Sequence, residues 1–281
     1  MEWRGRRGSS NIEDRRGMGV GGAGGLGVVG TLVVLAVGYF FGVDISPIVQ
    51  QTQTMAPGEE RELTQAEQEV GQFVSVVLAD TEEVWAQVLP AQANVEYRLP
   101  TLVLFSGAVQ SACGSASAAM GPFYCPGDER LYLDTTFFDV MGQQMGAGGD
   151  FAAAYVIAHE VGHHVQNQLG ILPRVNQLRA RVRGADANRL SVMTELQADC
   201  FAGIWARHAS DRFGTIEPGD IDEAVNAARA VGDDMLQRSA GRTPMPDSFT
   251  HGSAAERSEW LRRGMDSGEL VHCDTFAGTG L

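Results

Sequence analysis

The sequence predicts an α+β domain that follows a single N-terminal transmembrane helix. Three observations lead to this prediction. An uncharged apolar stretch lies near the N-terminus, short strand-like segments occur between residues 99 and 134, and apolar or amphipathic helical patterns fill the C-terminal half. A chain of 281 residues is long enough for one sizeable domain with additional segments. We expect that domain to comprise residues 63–281.

The N-terminal region has the charge pattern of a membrane anchor. Residues 1–18 are polar and contain five arginines, whereas residues 19–43 carry no charge and are long enough to span a bilayer. Arginines on that side favour a cytoplasmic N-terminus. We therefore expect a single-pass membrane protein, held in the lipid bilayer by residues 19–43, with its main domain outside the cytoplasm. The alternative is a cleaved signal peptide. Residues 44–62 contain two prolines and are typical of a linker.

The charge of the chain argues against binding to nucleic acid. The formal net charge is −14, and all 21 residues counted as lysine or arginine are arginine. An acidic protein repels the phosphate backbone, so we expect no nucleic-acid partner. The arginine-rich stretch at residues 179–183 is predicted to form a solvated helix face.

Four cysteines are present, and none of them forms a C-x-x-C pair. A separate cysteine zinc site is therefore not expected. Of the three possible pairings we favour Cys113–Cys125, which closes a short loop before a strand, together with Cys200–Cys273, which ties the C-terminal tail to a long helix. Disulfides require an oxidising compartment. The alternative is four reduced cysteines packed as small apolar side chains.

The elements follow from hydrophobic periodicity and from capping residues. Capping boxes at Thr64–Glu67 and Ser253–Glu256 predict two helix starts, and Asp150 and Asp220 are predicted N-caps. The predicted elements are helix 65–89 (as one helix or two), strand 99–105, loop 107–120, strands 123–125 and 131–134, and helices 150–168, 172–183, 188–209 and 221–237, with a last helix after residue 253.

The helix predicted between residues 150 and 168 carries the H-E-x-x-H motif. His159 and His163 are four residues apart, so they lie on one helix face, one turn from each other. Two imidazoles in this arrangement can bind one Zn²⁺. Glu160 lies beside them, where it can accept a proton from an attacking water. We expect one zinc ion per chain.

A zinc ion in a hydrolytic site needs a third protein ligand. The extended pattern H-E-x-x-H-x-x-G-x-x-H is not met, because Gln166 and Leu169 replace its glycine and its last histidine. Glu195 and Asp199 lie four apart in the apolar helix 188–209, where unpaired carboxylates would be costly to bury. We predict that Glu195 is the third ligand and that Asp199 accepts the ring N–H of a ligating histidine.

These motifs, taken together, resemble the bacterial neutral zinc metallopeptidase family. The resemblance lies in HEVGHH at residues 159–164, ELQADCFAGIWA at 195–206, and the stretches Gly121–Phe138 and Thr250–Gly268. It extends from about residue 60 to the C-terminus and, in less detail, to the N-terminal anchor. It implies a membrane-tethered, zincin-like metallopeptidase domain that acts on a peptide or protein substrate.

Further roles are predicted for residues outside the zinc helix. The oxyanion that forms during peptide hydrolysis needs a donor, for which His251, Tyr155 and Tyr124 are candidates. By resemblance, the hairpin 123–134, with Tyr124 and Tyr132, is a candidate substrate-binding edge or else a plain structural hairpin. Two other interpretations remain open. One is a membrane-anchored zinc-binding or scaffolding protein without catalysis, and the other is a structural zinc site completed by His251 or His272.

Overall fold

Residues 1–17, 61–117 and 120–278 are described by a computed structural model. The strands are β1 (Ile12–Asp14), β2 (Thr101–Phe105), β3 (Ala108–Ser111), β4 (Gly114–Ser117), β5 (Phe123–Cys125) and β6 (Arg130–Asp134). The helices are α1 (Gln65–Ala93), α2 (Thr136–Gln143), α3 (Asp150–Gln168), α4 (Ile171–Arg179), α5 (Ala185–Phe213), α6 (Asp220–Ala230), α7 (Asp233–Ser239) and α8 (Ala254–Ser267). The predicted mixture of helix and sheet is confirmed.

The larger sheet has the strand order β1-β2-β6-β5. The first three strands are parallel, and β5 runs antiparallel to β6. Side chains alternate between the two faces of a strand, so Leu102 and Leu104 of β2 belong to the main core while Val103 and Phe105 belong to a smaller cluster with Val109 of β3. The β3–β4 hairpin covers this second face of the sheet. The region 107–120, which was predicted to be a loop, thus contains two paired strands.

Helices α3, α5 and α8 pack closely enough to hold polar side chains in fixed positions. A Cβ atom at Gly264 of α8 would lie 1.9 Å from the carbonyl oxygen of Cys200, and one at Gly203 of α5 would lie 2.1 Å from that of Leu261. Side chains at these two positions would force α5 and α8 apart. The glycines thus bring α8 into direct backbone contact with the helix that carries Glu195.

The helices differ from the predicted ones mainly at their ends. Both capping boxes form as predicted, and α1 is a single helix. Asp150 and Asp220 are not N-caps, because each is already the first helical residue after a glycine. The helix predicted over residues 221–237 is interrupted at Gly232, where the backbone passes so close to Ala254 that a Cβ atom would lie 2.4 Å from its nitrogen.

Residues 1–17 are an integral part of the domain. β1 extends the sheet beside β2, Trp3 packs edge-on against Phe73 at 5.5 Å, and Arg6 is paired with the buried Asp80. The α-amino group of Met1 donates a hydrogen bond of 2.7 Å to the Asp150 carboxylate at the start of α3. This interaction uses the side chain that was predicted to cap the helix.

The predicted localisation is therefore wrong. It placed residues 1–18 in the cytoplasm and residues 63–281 on the other side of a membrane, but residues 1–17 share a sheet and a core with the rest of the domain. Within the described ranges, no helix combines the length and the apolarity needed to cross a bilayer. The predicted span 19–43, with its bilayer contact, and most of the linker 44–62 lie outside those ranges.

Both predicted disulfides are confirmed. Cys113 and Cys125 join the β3–β4 hairpin to β5, with their Cα atoms 5.8 Å apart. Cys200 and Cys273 join α5 to the C-terminal segment, with a Cα separation of 5.7 Å. Cys200 follows Asp199 directly in the chain. The second bridge therefore ties the C-terminal segment to the part of α5 that packs against α3.

Candidate active site

Helices α3 and α5 cross at Gly162 of α3, which has no side chain. A Cβ atom at Gly162 would lie 3.0 Å from the carbonyl oxygen of Ala198, so the two backbones meet at this point. The crossing brings one ligand atom each of His159, His163 and Glu195 within 4.8 Å of one another. The Nε2 atoms of His159 and His163 lie 3.2 and 3.6 Å from the two carboxylate oxygens of Glu195.

A buried charge network holds the imidazole of His159. Its Nδ1 lies 2.8 Å from Oδ1 of Asp199, which also accepts a 2.5 Å hydrogen bond from the hydroxyl of Tyr155. Arg257 of α8 binds the same carboxylate through both oxygens, with Nε–Oδ2 at 2.8 Å and Nη2–Oδ1 at 2.9 Å. A carboxylate only accepts hydrogen bonds, so Nδ1 of His159 carries a proton, and Nε2 is the nitrogen that faces Glu195.

A neutral amide holds the imidazole of His163. Oε1 of Gln166 lies 2.8 Å from Nδ1 of His163, and the Gln166 amide nitrogen donates to the carbonyl of Thr194 at 2.8 Å and to Oε1 of Gln197 at 3.0 Å. The Thr194 carbonyl can only accept, which fixes the orientation of the buried Gln166 amide. Nδ1 of His163 therefore carries a proton. The Gln197 amide in turn donates to the carbonyl of Cys273 at 3.0 Å.

The two glutamates of the site have different electrostatic environments. Burial alone would raise the pKa of Glu195, but the imidazoles of His163 and His159 hold it well below its ordinary value, so this group is an anion. Burial, only partly opposed by the same imidazoles, raises the pKa of Glu160. Glu160 is half-buried and lines the cleft next to the three converging side chains.

The donor set fits a zinc ion. Nε2 of two imidazoles and the carboxylate of Glu195 converge, and once Nε2 has lost its proton these are ligand types that zinc binds in hydrolytic sites with three protein ligands. The Nδ1–H of each imidazole donates a hydrogen bond to a fixed acceptor, Asp199 for His159 and Gln166 for His163. Metal-bound histidines usually have such an acceptor. None of the four cysteines is available as a ligand, because all of them form disulfides.

The converging side chains open into a cleft of about 650 Å³. One wall is the segment 120–124 with Phe137, a second is α4 with the first half of α5, and a third contains Val231 and Leu236. A cleft of this size accommodates several residues of a peptide or a small molecule.

His251 enters the cleft on a turn organised by Asp233. Oδ2 of Asp233 accepts the backbone N–H groups of Thr250, His251 and Gly252 at 2.7, 2.6 and 3.1 Å. Its Oδ1 lies 3.3 Å from Nδ1 of His251, and this hydrogen bond, opposed by burial, raises the pKa of the histidine. With Nδ1 turned to Asp233, the opposite nitrogen Nε2 is the one left for a group in the cleft.

The tyrosines predicted near the site have other partners. The Tyr155 hydroxyl is bound to Asp199, and the Tyr124 hydroxyl is bound to His164 at 3.2 Å and Asn167 at 3.1 Å, so neither is available to an oxyanion. Tyr132 lies on the other face of the sheet, stacked on Phe123 with ring centroids 4.8 Å apart, and does not line the cleft.

Two other histidines lie away from the converging ligand atoms. His272 lies beside Glu269 at 3.5 Å on the exposed surface, and His208 bonds to the carbonyl of Gly268 at 3.0 Å.

The sequence did not point to Gln166, Arg257 or Asp233. Gln166 was noted only because it breaks the longer histidine motif, and amides have no spacing signature of their own. Arg257 lies in the stretch 250–268 that carries part of the family resemblance, which was the one available signal for it. Asp233 precedes His251 by eighteen residues, a separation that no local pattern connects.

The fold and the site define a mixed helix-and-sheet protein with an H-E-x-x-H motif and a glutamate brought from a second helix. A sequence model of the family described as "Putative neutral zinc metallopeptidase" matches residues 1–276. The chain therefore belongs to that family, as its motifs indicated.

Its relatives include proteins of Escherichia coli and Mycobacterium tuberculosis. The chain is 45% identical over 285 residues to the protein YpfJ of Escherichia coli (strain K12), with 98% of this chain and 99% of that protein covered. It is 42% identical over 241 residues to protein Rv2575 of Mycobacterium tuberculosis (strain ATCC 25618 / H37Rv), with 81% and 79% covered. No solved structure matches the chain significantly.

Replacing Gln166 with leucine tests whether the amide holds His163. We expect Gln166→Leu to weaken zinc binding by about 10- to 100-fold, because the His163 ring loses its acceptor and its fixed tautomer. Competition against a chromophoric chelator measures the affinity, and nitrogen-15 NMR of the imidazoles in metal-free protein measures the tautomer. Gln177→Leu, on the exposed side of α4, is the matched control. Wild-type affinity together with an unchanged His163 tautomer in Gln166→Leu would contradict this role.

Proposed function

We propose that the protein is a zinc-dependent metalloendopeptidase that hydrolyses peptide bonds with Glu160 as general base. The observation that carries the proposal is the convergence of His159, His163 and Glu195 at the floor of a peptide-sized cleft, with Glu160 beside them. Membership in a family described as zinc metallopeptidases supports the same reaction. His159, His163 and Glu195 would hold one zinc ion per chain.

The chain's own residues supply proton transfer and orientation. A zinc ion, when bound, polarises the scissile carbonyl and lowers the pKa of a coordinated water toward about 7. Glu160 accepts a proton from the attacking water and returns it to the leaving amine. Asp199 and Gln166 keep the two imidazoles oriented, and Arg257 keeps Asp199 in place.

His251 is the donor that we assign to the oxyanion. Of the three candidates proposed from the sequence, Tyr155 and Tyr124 have hydroxyls bound to other side chains, whereas His251 lines the cleft. Asp233 accepts from Nδ1 and raises the pKa of the ring, and in the protonated ring Nε2 can donate a hydrogen bond to the oxygen on which charge develops.

The substrate backbone is proposed to lie along β5. This strand is at the end of the sheet order and pairs on one side with β6, and no other strand among the described residues covers its second side. Phe123 and Tyr124 of β5 also line the cleft. An extended peptide can add to such an edge through main-chain hydrogen bonds. Tyr124 belongs to this edge through its backbone, whereas Tyr132 does not reach it.

The substitution Glu160→Gln separates hydrolysis from zinc binding. We expect the variant to keep one zinc per chain and to lose kcat by at least about 10²-fold, because an amide cannot accept the proton of the water. Turnover of quenched fluorescent peptides with and without a chelator, together with metal analysis, measures both properties. Undiminished turnover in Glu160→Gln would remove Glu160 from the reaction. The absence of chelator-sensitive turnover in the wild type would favour the non-catalytic zinc-binding alternative.

The substitution His251→Ala tests the oxyanion donor. We expect kcat to fall by about 10²- to 10³-fold with little change in KM, because the lost hydrogen bond strengthens only as charge develops on the carbonyl oxygen. Zinc content should be unchanged. His272→Ala, which removes an exposed histidine outside the cleft, serves as the control. A kcat equal to that of the control would assign the donor to another group.

A further inference from the structure

One basic side chain of the cleft has no acidic partner within the part of the chain that the structure describes. The basic residues that line the cleft are His159, His163, Arg179, His251 and Arg257. The three histidines and Arg257 each lie within 4.0 Å of a carboxylate. Arg179, at the end of α4, is exposed and forms no such pair with any described residue. Among the described residues, the carboxylates that line the cleft are Glu160 and Glu195.

The surface next to Arg179 is also basic. Between residues 172 and 190 the chain has five arginines and a single acidic residue, Asp186, although the whole chain has a net charge of −14. We call this stretch the α4–α5 flank. All five of its arginines are exposed, namely Arg174, Arg179, Arg181, Arg183 and Arg189.

Arginines elsewhere in the described chain are mostly paired. Outside the α4–α5 flank, twelve of them have a carboxylate within 4.0 Å. None of the five arginines of the flank has one among the residues that the structure describes. Unpaired arginines are therefore concentrated in the flank, of which Arg179 is the member that lines the cleft.

We propose that Arg179 and the α4–α5 flank form a subsite for a carboxylate side chain of the peptide substrate. This inference rests on the proposed peptidase function and adds a substrate class to it, namely peptides with Asp or Glu where they pass over the end of α4. The planar guanidinium of Arg179 can form two parallel hydrogen bonds to such a carboxylate. The other arginines of the flank attract the carboxylate electrostatically at longer range.

The overall negative charge of the protein does not cancel this attraction. At physiological ionic strength the Debye length is about 8 Å, so a peptide in the cleft responds mainly to the charges nearest to it. At the end of α4 the charged group that lines the cleft is Arg179. The attraction between exposed charged groups weakens with added salt, so a salt-dependent affinity would identify this interaction.

Binding to the Glu160→Gln variant tests the subsite without turnover. Fluorescence anisotropy would compare a set of labelled peptides with Glu at one position at a time against the same peptides with Gln. We expect one position at which Glu improves binding by about three- to fivefold at low salt, which is the upper part of the range for an exposed ion pair. The advantage should decline as sodium chloride rises.

Charge substitutions locate the effect. In the Glu160→Gln background, Arg179→Gln should remove the preference for Glu, and Arg179→Glu should reverse it in favour of a peptide with Arg at that position. Arg242→Gln makes the same charge change at an exposed arginine outside the cleft and should leave the preference intact. A preference for Glu that survives in Arg179→Gln, or its absence at every position in the parent variant, would overturn the subsite.

Failure of the subsite proposal can be distinguished from failure of the peptidase proposal. Chelator-sensitive cleavage by the zinc-loaded wild type with equal KM for Glu and Gln peptides would support the peptidase and contradict the subsite. Selective binding of the Glu peptide without cleavage by the wild type would support the subsite and contradict the peptidase.

Discussion

The buried ion pair between Asp199 and Arg257 is the interaction on which the site depends. Both side chains are almost fully buried, with 0% and 4% of their surface exposed. Burying two charges is costly, and the cost is offset only when the geometry is good and the remaining atoms are satisfied. Here both carboxylate oxygens are bound by Arg257, and one also receives Tyr155 and His159. The pair thereby joins helices α3, α5 and α8.

The two imidazoles are oriented by different means, and each depends on a different part of the fold. His159 is held by the charged Asp199, whose position depends on α8 packing against α5. His163 is held by the neutral Gln166, whose amide is fixed by the α5 backbone and by Gln197, which bonds to the segment tied down by a disulfide. The ring nitrogens that face Glu195 are therefore organised before any metal binds, which reduces the ordering required on binding.

Local spacing made the core of the site predictable. The pairs His159 and His163, and Glu195 and Asp199, each lie one helical turn apart, and that periodicity is visible in the sequence. Contacts between distant segments leave no such signal, which is why Arg257 and Asp233 were missed. Hydropathy also led to the wrong placement of the N-terminus. It shows that residues 1–17 are polar, but it does not show that Ile12–Asp14 pairs with a strand about ninety residues later.

X-ray absorption at the zinc edge tests the central claim most directly. After loading with one equivalent of Zn²⁺, the account predicts two imidazole ligands with the remaining ligands oxygen, at about 2.0–2.2 Å, and no sulfur at about 2.3 Å. Glu195→Ala should lose the bound metal on buffer exchange, whereas the exposed Glu96→Ala should retain it. Retention of one zinc per chain by Glu195→Ala, with the wild-type spectrum, would contradict the assignment of His159, His163 and Glu195 as the metal ligands.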